Sequence, residues 1–213
     1  SNYTQAEHFS IGAMPYIAYE WEHLHIGIDD IAYEFFDNRQ LALTASLEPR
    51  WSFADTETST IFEGITRNDA LDFGAMAHYK IAQGLVSSWY LDGTLLQDIS
   101  GVHKGQEAEL KIGFSREFAK IEIDLGGGAN YTSQKLSQYL YGVDPQEATI
   151  TGLNAFSSAA VYTPFIDLTM QMQLWGPTLL VINASSEYYN SGIQQSPFID
   201  KALQTQWLVG VVV

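Results

Sequence analysis

The residues of this 213-residue chain whose types could do chemistry are five histidines, a scatter of carboxylates and one triple glycine. His23 and His25 stand two apart, a spacing that puts both imidazoles on one face of a strand, where they could grip a metal ion; the pattern supplies no third ligand. His78 shares a strand face with Asp72 and Lys80, as a hydrogen-bonded histidine in a polar interior would. Ser87, Ser88 and His103 are the residue types of a Ser–His hydrolase, yet no G-x-S-x-G elbow accompanies them. Gly126-Gly127-Gly128 has the composition of a phosphate cradle. The next residues are Ala-Asn-Tyr, with no helix to supply a dipole, so the triplet reads as a flexible strand exit. Cysteine is absent, which removes disulfides, thiolate metal sites and a Cys nucleophile. These residues predict no catalytic set, no cofactor and no resident metal.

Bulk properties narrow the classes further. Ten basic residues against 25 acidic ones leave a formal charge of −15, which argues against nucleic acid, because phosphate recognition needs clustered Lys and Arg. Apolar residues make up 46% of the chain while the mean hydropathy is −0.06, so polar residues dilute them evenly. No stretch reaches the roughly 18–20 apolar residues of a spanning helix. The sequence opens at Ser1 without a signal peptide, as a mature or trimmed form would.

The elements that must position these side chains alternate with period 2. In 40–54, Leu41, Leu43, Ala45, Leu47, Trp51 and Phe53 oppose Thr44, Ser46, Glu48, Arg50 and Ser52. In 69–82, Leu71, Phe73, Ala75, Ala77, Tyr79 and Ile81 oppose Asp72, His78 and Lys80. The same division separates Ala108, Leu110, Ile112 and Phe114 from Glu107, Glu109 and Lys111. It also separates Ile121, Ile123 and Leu125 from Lys120, Glu122 and Asp124, and recurs over 165–174. Weaker versions at 12–21, 24–36, 85–97, 178–189 and 202–213 bring the count to about ten strands; in 24–36 the phase slips at Asp29-Asp30, as a β-bulge would cause. Helical periodicity is nowhere sustained. Arg116-Glu117 reads as a two-residue loop setting Ile112 opposite Ile121 and Lys111 opposite Glu122. Ala82-Gln83-Gly84 reads as a three-residue hairpin with a G1 bulge at Gly84. Short connections near 37–39, 82–84, 116–117 and 175–177 alternate with longer ones at 55–68, 98–105, 130–154 and 190–201, the habit of bacterial outer-membrane barrels. Ten strands would place both termini on the short-turn, periplasmic side.

A soluble sandwich or lipocalin-like barrel also alternates, but turns its apolar face inward. Two patterns predict the reverse. Aromatics of the apolar face gather at strand ends: Phe35, Tyr79, Trp89 and Phe114 towards the short turns, Trp21, Trp51, Phe53 and, more loosely, Tyr131 towards the long loops. Two membrane-interface girdles would have that distribution. The polar face, meanwhile, carries charges at mid-strand. Glu48, Arg50, Asp72, His78, Lys80, Glu107, Glu109, Lys111, Lys120, Glu122 and Asp124 are therefore expected to form a lumen network that neutralises itself and plugs a narrow barrel.

Three stretches are similar to the MipA/OmpV family of MltA-interacting outer-membrane proteins. Residues 15–21, Pro-Tyr-Ile-Ala-Tyr-Glu-Trp, resemble that family's first well-marked strand. Tyr139-Leu-Tyr-Gly-Val143, followed by Glu147-Ala148 and Gly152-Leu153, resembles its Tyr-Tyr-Gly-Val loop. Glu187-Tyr-Tyr-Asn190 and Ser196-Pro197-Phe-Ile-Asp200 resemble its strand with a Ser-Pro element. The order agrees across most of the chain, although the last residue is Val213 where members tend to finish on an aromatic, and members carry a further N-terminal stretch; both departures leave ten or twelve strands open. The resemblance implies an outer-membrane location and a scaffold linking a lytic transglycosylase to peptidoglycan synthesis; it supplies no catalytic residues.

The expected protein is thus an all-β, transmembrane, antiparallel up-and-down barrel forming one domain over 1–213. It would contact membrane lipid and lipopolysaccharide, together with murein enzymes or other envelope proteins. Tyr131, Tyr139, Leu140 and Tyr141 in the middle long loop form a candidate contact surface. A narrow channel for small solutes and a lipid A-modifying enzyme are the competing functions.

Overall fold

A computed structural model describes residues 19–27, 29–51, 65, 67–176 and 178–212. Among these described residues, eleven strands form one sheet in sequence order, every neighbour antiparallel. They are β1 (Tyr19–Trp21), β2 (Leu24–Ile26), β3 (Ile31–Asp37), β4 (Leu41–Arg50), β5 (Ala70–Gln83), β6 (Ser87–Asp98), β7 (Gln106–Phe118), β8 (Ile121–Thr132), β9 (Val161–Gln173), β10 (Leu179–Tyr188) and β11 (Leu203–Val212). From β3 onward short turns and long connections alternate, so the long connections 51–69, 99–105, 133–160 and 189–202 share one end. β11 finishes at the short-turn end. No described helix is long and apolar enough to cross a membrane.

Side-chain contacts reveal which way the sheet curves. Arg50 on β4 reaches Glu107 on β7 at 2.7 Å. On a flat sheet, at about 4.8 Å per strand, those backbones would stand about 14 Å apart, too far for that contact unless the polar face is concave. Lys111 on β7 likewise reaches Asp167 on β9, and Tyr90 on β6 reaches Asp124 on β8, each skipping a strand. The apolar face is therefore convex. Leu95, Leu110, Ile112, Leu125 and Ile166 on it are between 50% and 63% exposed. In a soluble barrel these residues would be the dry centre. Here they form the outer wall, which is the arrangement of a membrane β-barrel.

Three local expectations are corrected. Asp29-Asp30 is not a bulge but part of a reversal: Gly27 N–H donates to Asp30 O at 2.8 Å and β2 folds back onto β3, pairing His25 with Ala32. Gly and paired Asp are turn chemistry, and the three-residue run before them is too short to separate a bulge from a hairpin by phase. Bulges do occur, between Glu34 and Phe36 in β3 and between Lys80 and Ala82 in β5, so the β5–β6 bulge lies at Ile81, not Gly84. The β7–β8 turn is Ala119-Lys120, with Ala119 at φ 54°, and Ile112 faces Gly127 in place of the expected Ile121. That slide of six residues is even, so every side chain keeps its face and the alternation is blind to it. It also carries Gly126-Gly127-Gly128 into the middle of β8, not to its exit.

The long connections are not structureless. The one after β8 holds helices α1 (Gln134–Tyr141) and α2 (Pro145–Thr151). α2 carries sequence signals at both of its ends. Asp144 caps it and Glu147 completes a capping box, Pro145 opens its first turn, and Gly152 closes it at φ 74°. Leu136, Leu140 and Tyr141 of α1 pack with Val161, Tyr189, Ile193 and Ile199, and a second cluster joins Ile65, Val143 and Phe198. These two small cores make a folded cap over the long-connection end.

Candidate functional site

Inside the barrel the charges are cross-braced. Lys111 Nζ lies 2.7 Å from Asp167 Oδ1 and 3.7 Å from Asp124 Oδ1. Tyr90 Oη donates to the same Asp124 atom at 2.6 Å, and its ring lies 5.8 Å beneath the Lys111 ammonium. Two glycines make the room: a Cβ at Gly113 would overlap the Tyr90 ring, and one at Gly126 would overlap Lys111 Cε. His78 Nδ1 meets Asp92 Oδ1 at 2.6 Å. The Lys111–Glu122 pairing expected from the sequence does not form, since Glu122 faces Glu117 across the ladder. Lys120 sits in the β7–β8 turn, outside the mid-strand group. Ser46 Oγ donates to Glu48, Lys80 is half-buried on the concave face, and Glu109 lies beside Lys111 on β7.

A second cluster ties the barrel wall to the cap. Arg50 Nε donates to Asp72 Oδ2 at 3.0 Å while its Nη2 grips Glu107. Gly105 N–H donates to His103 Nδ1 at 3.1 Å, so the ring proton sits on Nε2, which lies 2.9 Å from Asp72 Oδ1. Asp98 collects the 99–105 connection: Ser100 N–H, Ser100 Oγ and Gly101 N–H donate to Oδ1, His103 N–H and Lys104 N–H to Oδ2. Asp72, Asp98 and His103 have the donor atoms of a cation site. Every one of those oxygens and nitrogens already has a protein partner, so the cluster works as a clamp. Arg67 pins the cap from the side, donating to Tyr139 O, Gly142 O and Glu147. Burial pushes the phenols of Tyr141 and Tyr189 well above their ordinary range.

The imagined hydrolase falls apart in space. Ser88 bonds Ser115 at the short-turn end, and His103 lies in the connection at the opposite end. His23 and His25 do not share a ligand: His23 meets Glu34, and His25 gathers with Asp29 and Asp30. Of the expected contact surface, Leu140 and Tyr141 are cap core at 5% exposure and Tyr131 is a strand residue tilted against Tyr162 at 5.0 Å; Tyr139 borders an open cleft in the cap. The outward aromatics Trp21, Phe35, Trp51, Tyr79 and Trp89 are all exposed, with Phe114 packed against Trp89 at 4.9 Å; Phe53 lies outside the described residues. Sequence reasoning missed Tyr90, Asp92, Asp98 and Asp167. Asp92, Asp98 and Asp167 sit on polar faces of strands, and the register alone brings them to their partners.

A family model described as MltA-interacting protein MipA matches residues 1–213. The chain belongs to the MipA family. Two relatives of this MipA-family barrel are proteins of Escherichia coli, from strain K12 and from O157:H7, each named as outer membrane protein YiaT. Each is 21% identical over 202 residues, covering 93% of this chain and 80% of the relative. No solved structure matches. Family, relatives and the outward apolar wall agree on an outer-membrane protein.

Proposed function

We propose that this MipA-family barrel is a non-catalytic outer-membrane scaffold. Its long connections face outward, its short turns and the end of β11 face the periplasm, and it holds a murein lytic transglycosylase from the periplasmic side. The observation that carries the reading is the braced, capped wall: Tyr90, Lys111, Asp124 and Asp167 tie four neighbouring strands, β6 to β9, on the inner face, and a packed cap sits over one end. Such a barrel is suited to holding partners, not to passing solutes. The family's description, an MltA-interacting protein, supplies the partner class. Apolar side chains at the turn tips support contacts on that side, with Leu85, Val86 and Trp175 standing exposed.

Crosslinking in intact envelopes followed by recovery of the barrel should bring down a murein transglycosylase, and shaving the cap from outside should leave that recovery unchanged. Recovery of no murein enzyme from well-crosslinked envelopes sinks the scaffold. A narrow channel has one observation in its favour, an acidic cavity of about 260 Å³ lined by Glu122, Asp124, Thr169 and Gln171. Steady single-channel conductance in planar bilayers would favour that reading; a silent bilayer favours the scaffold.

A further inference from the structure

The convex wall is not uniformly ridged. Between β5 and β8, towards the long connections, it holds an apolar groove of about 350 Å³. Ala75 and Ala108 floor it, and Phe73, Leu95 and Tyr131 stand as its walls. Ala75, Leu95, Ala108 and Tyr131 lie in one hydrogen-bonded row, so small and large side chains alternate across the strands. Towards the middle of the wall the row is continued by Ala77 opposite Gly93, where a Cβ would meet nothing within 4 Å. From Gly93 to the rim at Gln97 is about 13 Å along the strand.

The rim changes chemistry in steps. Gln97 and Gln106 face one another at the mouth, and Gln97 Nε2 is anchored on Asp98 O and Gly105 O. Above them the 99–105 connection presents Lys104, which is exposed. Lys104 adopts φ 52°, a left-handed conformation held by the bond from its N–H to Asp98. From the connection down the wall, the strip runs from an exposed lysine through two amides to an apolar trough beside the tilted pair Tyr131–Tyr162. That is the polarity profile of an anionic amphiphile: charged headgroup, polar linkage, acyl chain.

The geometry points to a lipid site on the outer wall that seats one acyl chain of lipopolysaccharide, its phosphate meeting Lys104. The choice of lipopolysaccharide over phospholipid rests on the proposed orientation, because the groove opens at the end bearing the long connections, in the outward leaflet. There the surrounding solvent is acyl chain, so an apolar groove is filled by lipid unless a partner displaces it.

The test uses the full chain purified in mild detergent, titrated with deep-rough lipopolysaccharide and, separately, with phosphatidylglycerol, with bound lipid counted by native mass spectrometry. The unaltered protein should retain lipopolysaccharide through detergent exchange and release phosphatidylglycerol. Filling the groove with Gly93→Leu and Ala108→Leu should weaken lipopolysaccharide binding by at least about tenfold. Lys104→Asn, which tolerates the left-handed backbone, should weaken it towards the phosphorylated lipid and leave dephosphorylated lipid unaffected. Ala75→Leu on the neighbouring strand replaces the double variant if that one loses heat-modifiable mobility. Unchanged retention by a folded, groove-filled variant overturns the site, as does equal retention of the two lipids. Protease access to 133–160 in whole cells separates the failures. Loops accessible from outside with no lipid effect defeat the groove alone; loops protected from outside defeat the orientation beneath it.

Discussion

Gly113 lacks a side chain where Tyr90 needs the space, and that one exchange organises the middle of the lumen. With the ring laid over Gly113, the Tyr90 hydroxyl reaches Asp124, and Lys111 closes the group by bonding Asp167. Gly113→Ala should therefore destabilise the barrel by expelling the ring, with the lost bond to a carboxylate costing about 2 kcal/mol. In a Tyr90→Ala background the same change should cost much less; urea titration of the folded, unheated gel band measures both. Lys111→Ala should be worse, because it leaves Asp167 facing inward without its cation, at about 3 kcal/mol for one broken, largely buried pair. Lys111→Met combined with Asp167→Leu should recover most of that loss. If the double variant is as weak as Lys111→Ala, the brace contributes something other than charge compensation.

At the scale of elements, the cap behaves as a small hydrophobic domain set on strand ends. Its tyrosines set a pH limit. The folded cap holds Tyr141 and Tyr189 protonated to a higher pH than an unfolded chain would, because their burial disfavours phenolate. A raised folded value means the stabilisation is complete below the unfolded value of about 10 and is lost progressively as pH rises from there towards the raised folded value. Limited proteolysis within 133–160 and 189–202 should thus accelerate above about pH 10 while the strands stay protected. Tyr141→Phe together with Tyr189→Phe should move that onset upward. Arg67→Ala should open the same segments at neutral pH, since Arg67 is the shared donor to two carbonyls of the α1 terminus and to Glu147.

For the molecule as a whole, the outward apolar wall is the feature with the largest consequence. In vesicles of brominated lipid, Trp89 should be quenched through contact with acyl chains, and a single-Trp variant retaining Trp89 reads this directly. An unquenched Trp89 would put the convex face against protein or water and remove the membrane barrel. Among the described residues, the expected girdle aromatics Trp21, Phe35, Trp51, Tyr79 and Trp89 are exposed, while Lys120 of the expected lumen set sits in a turn.

The alternation of Leu110, Ile112 and Leu125 with Glu109, Lys111 and Asp124 is enough by itself to establish strands, faces, the position of the long connections and the polarity of each side. Face is a matter of parity, and parity is written in every second residue. Register is not, because an even slide preserves parity; so the sequence alone pairs Lys111 with Glu122, and the fold gives it Asp167. Turn residues with unremarkable side chains, such as Ala119-Lys120, carry no sequence mark for a left-handed backbone. Contacts that skip one strand, such as Tyr90 to Asp124, or two, such as Arg50 to Glu107, depend on curvature, a property of the whole curved sheet and of no single segment. Only the tertiary structure could decide those.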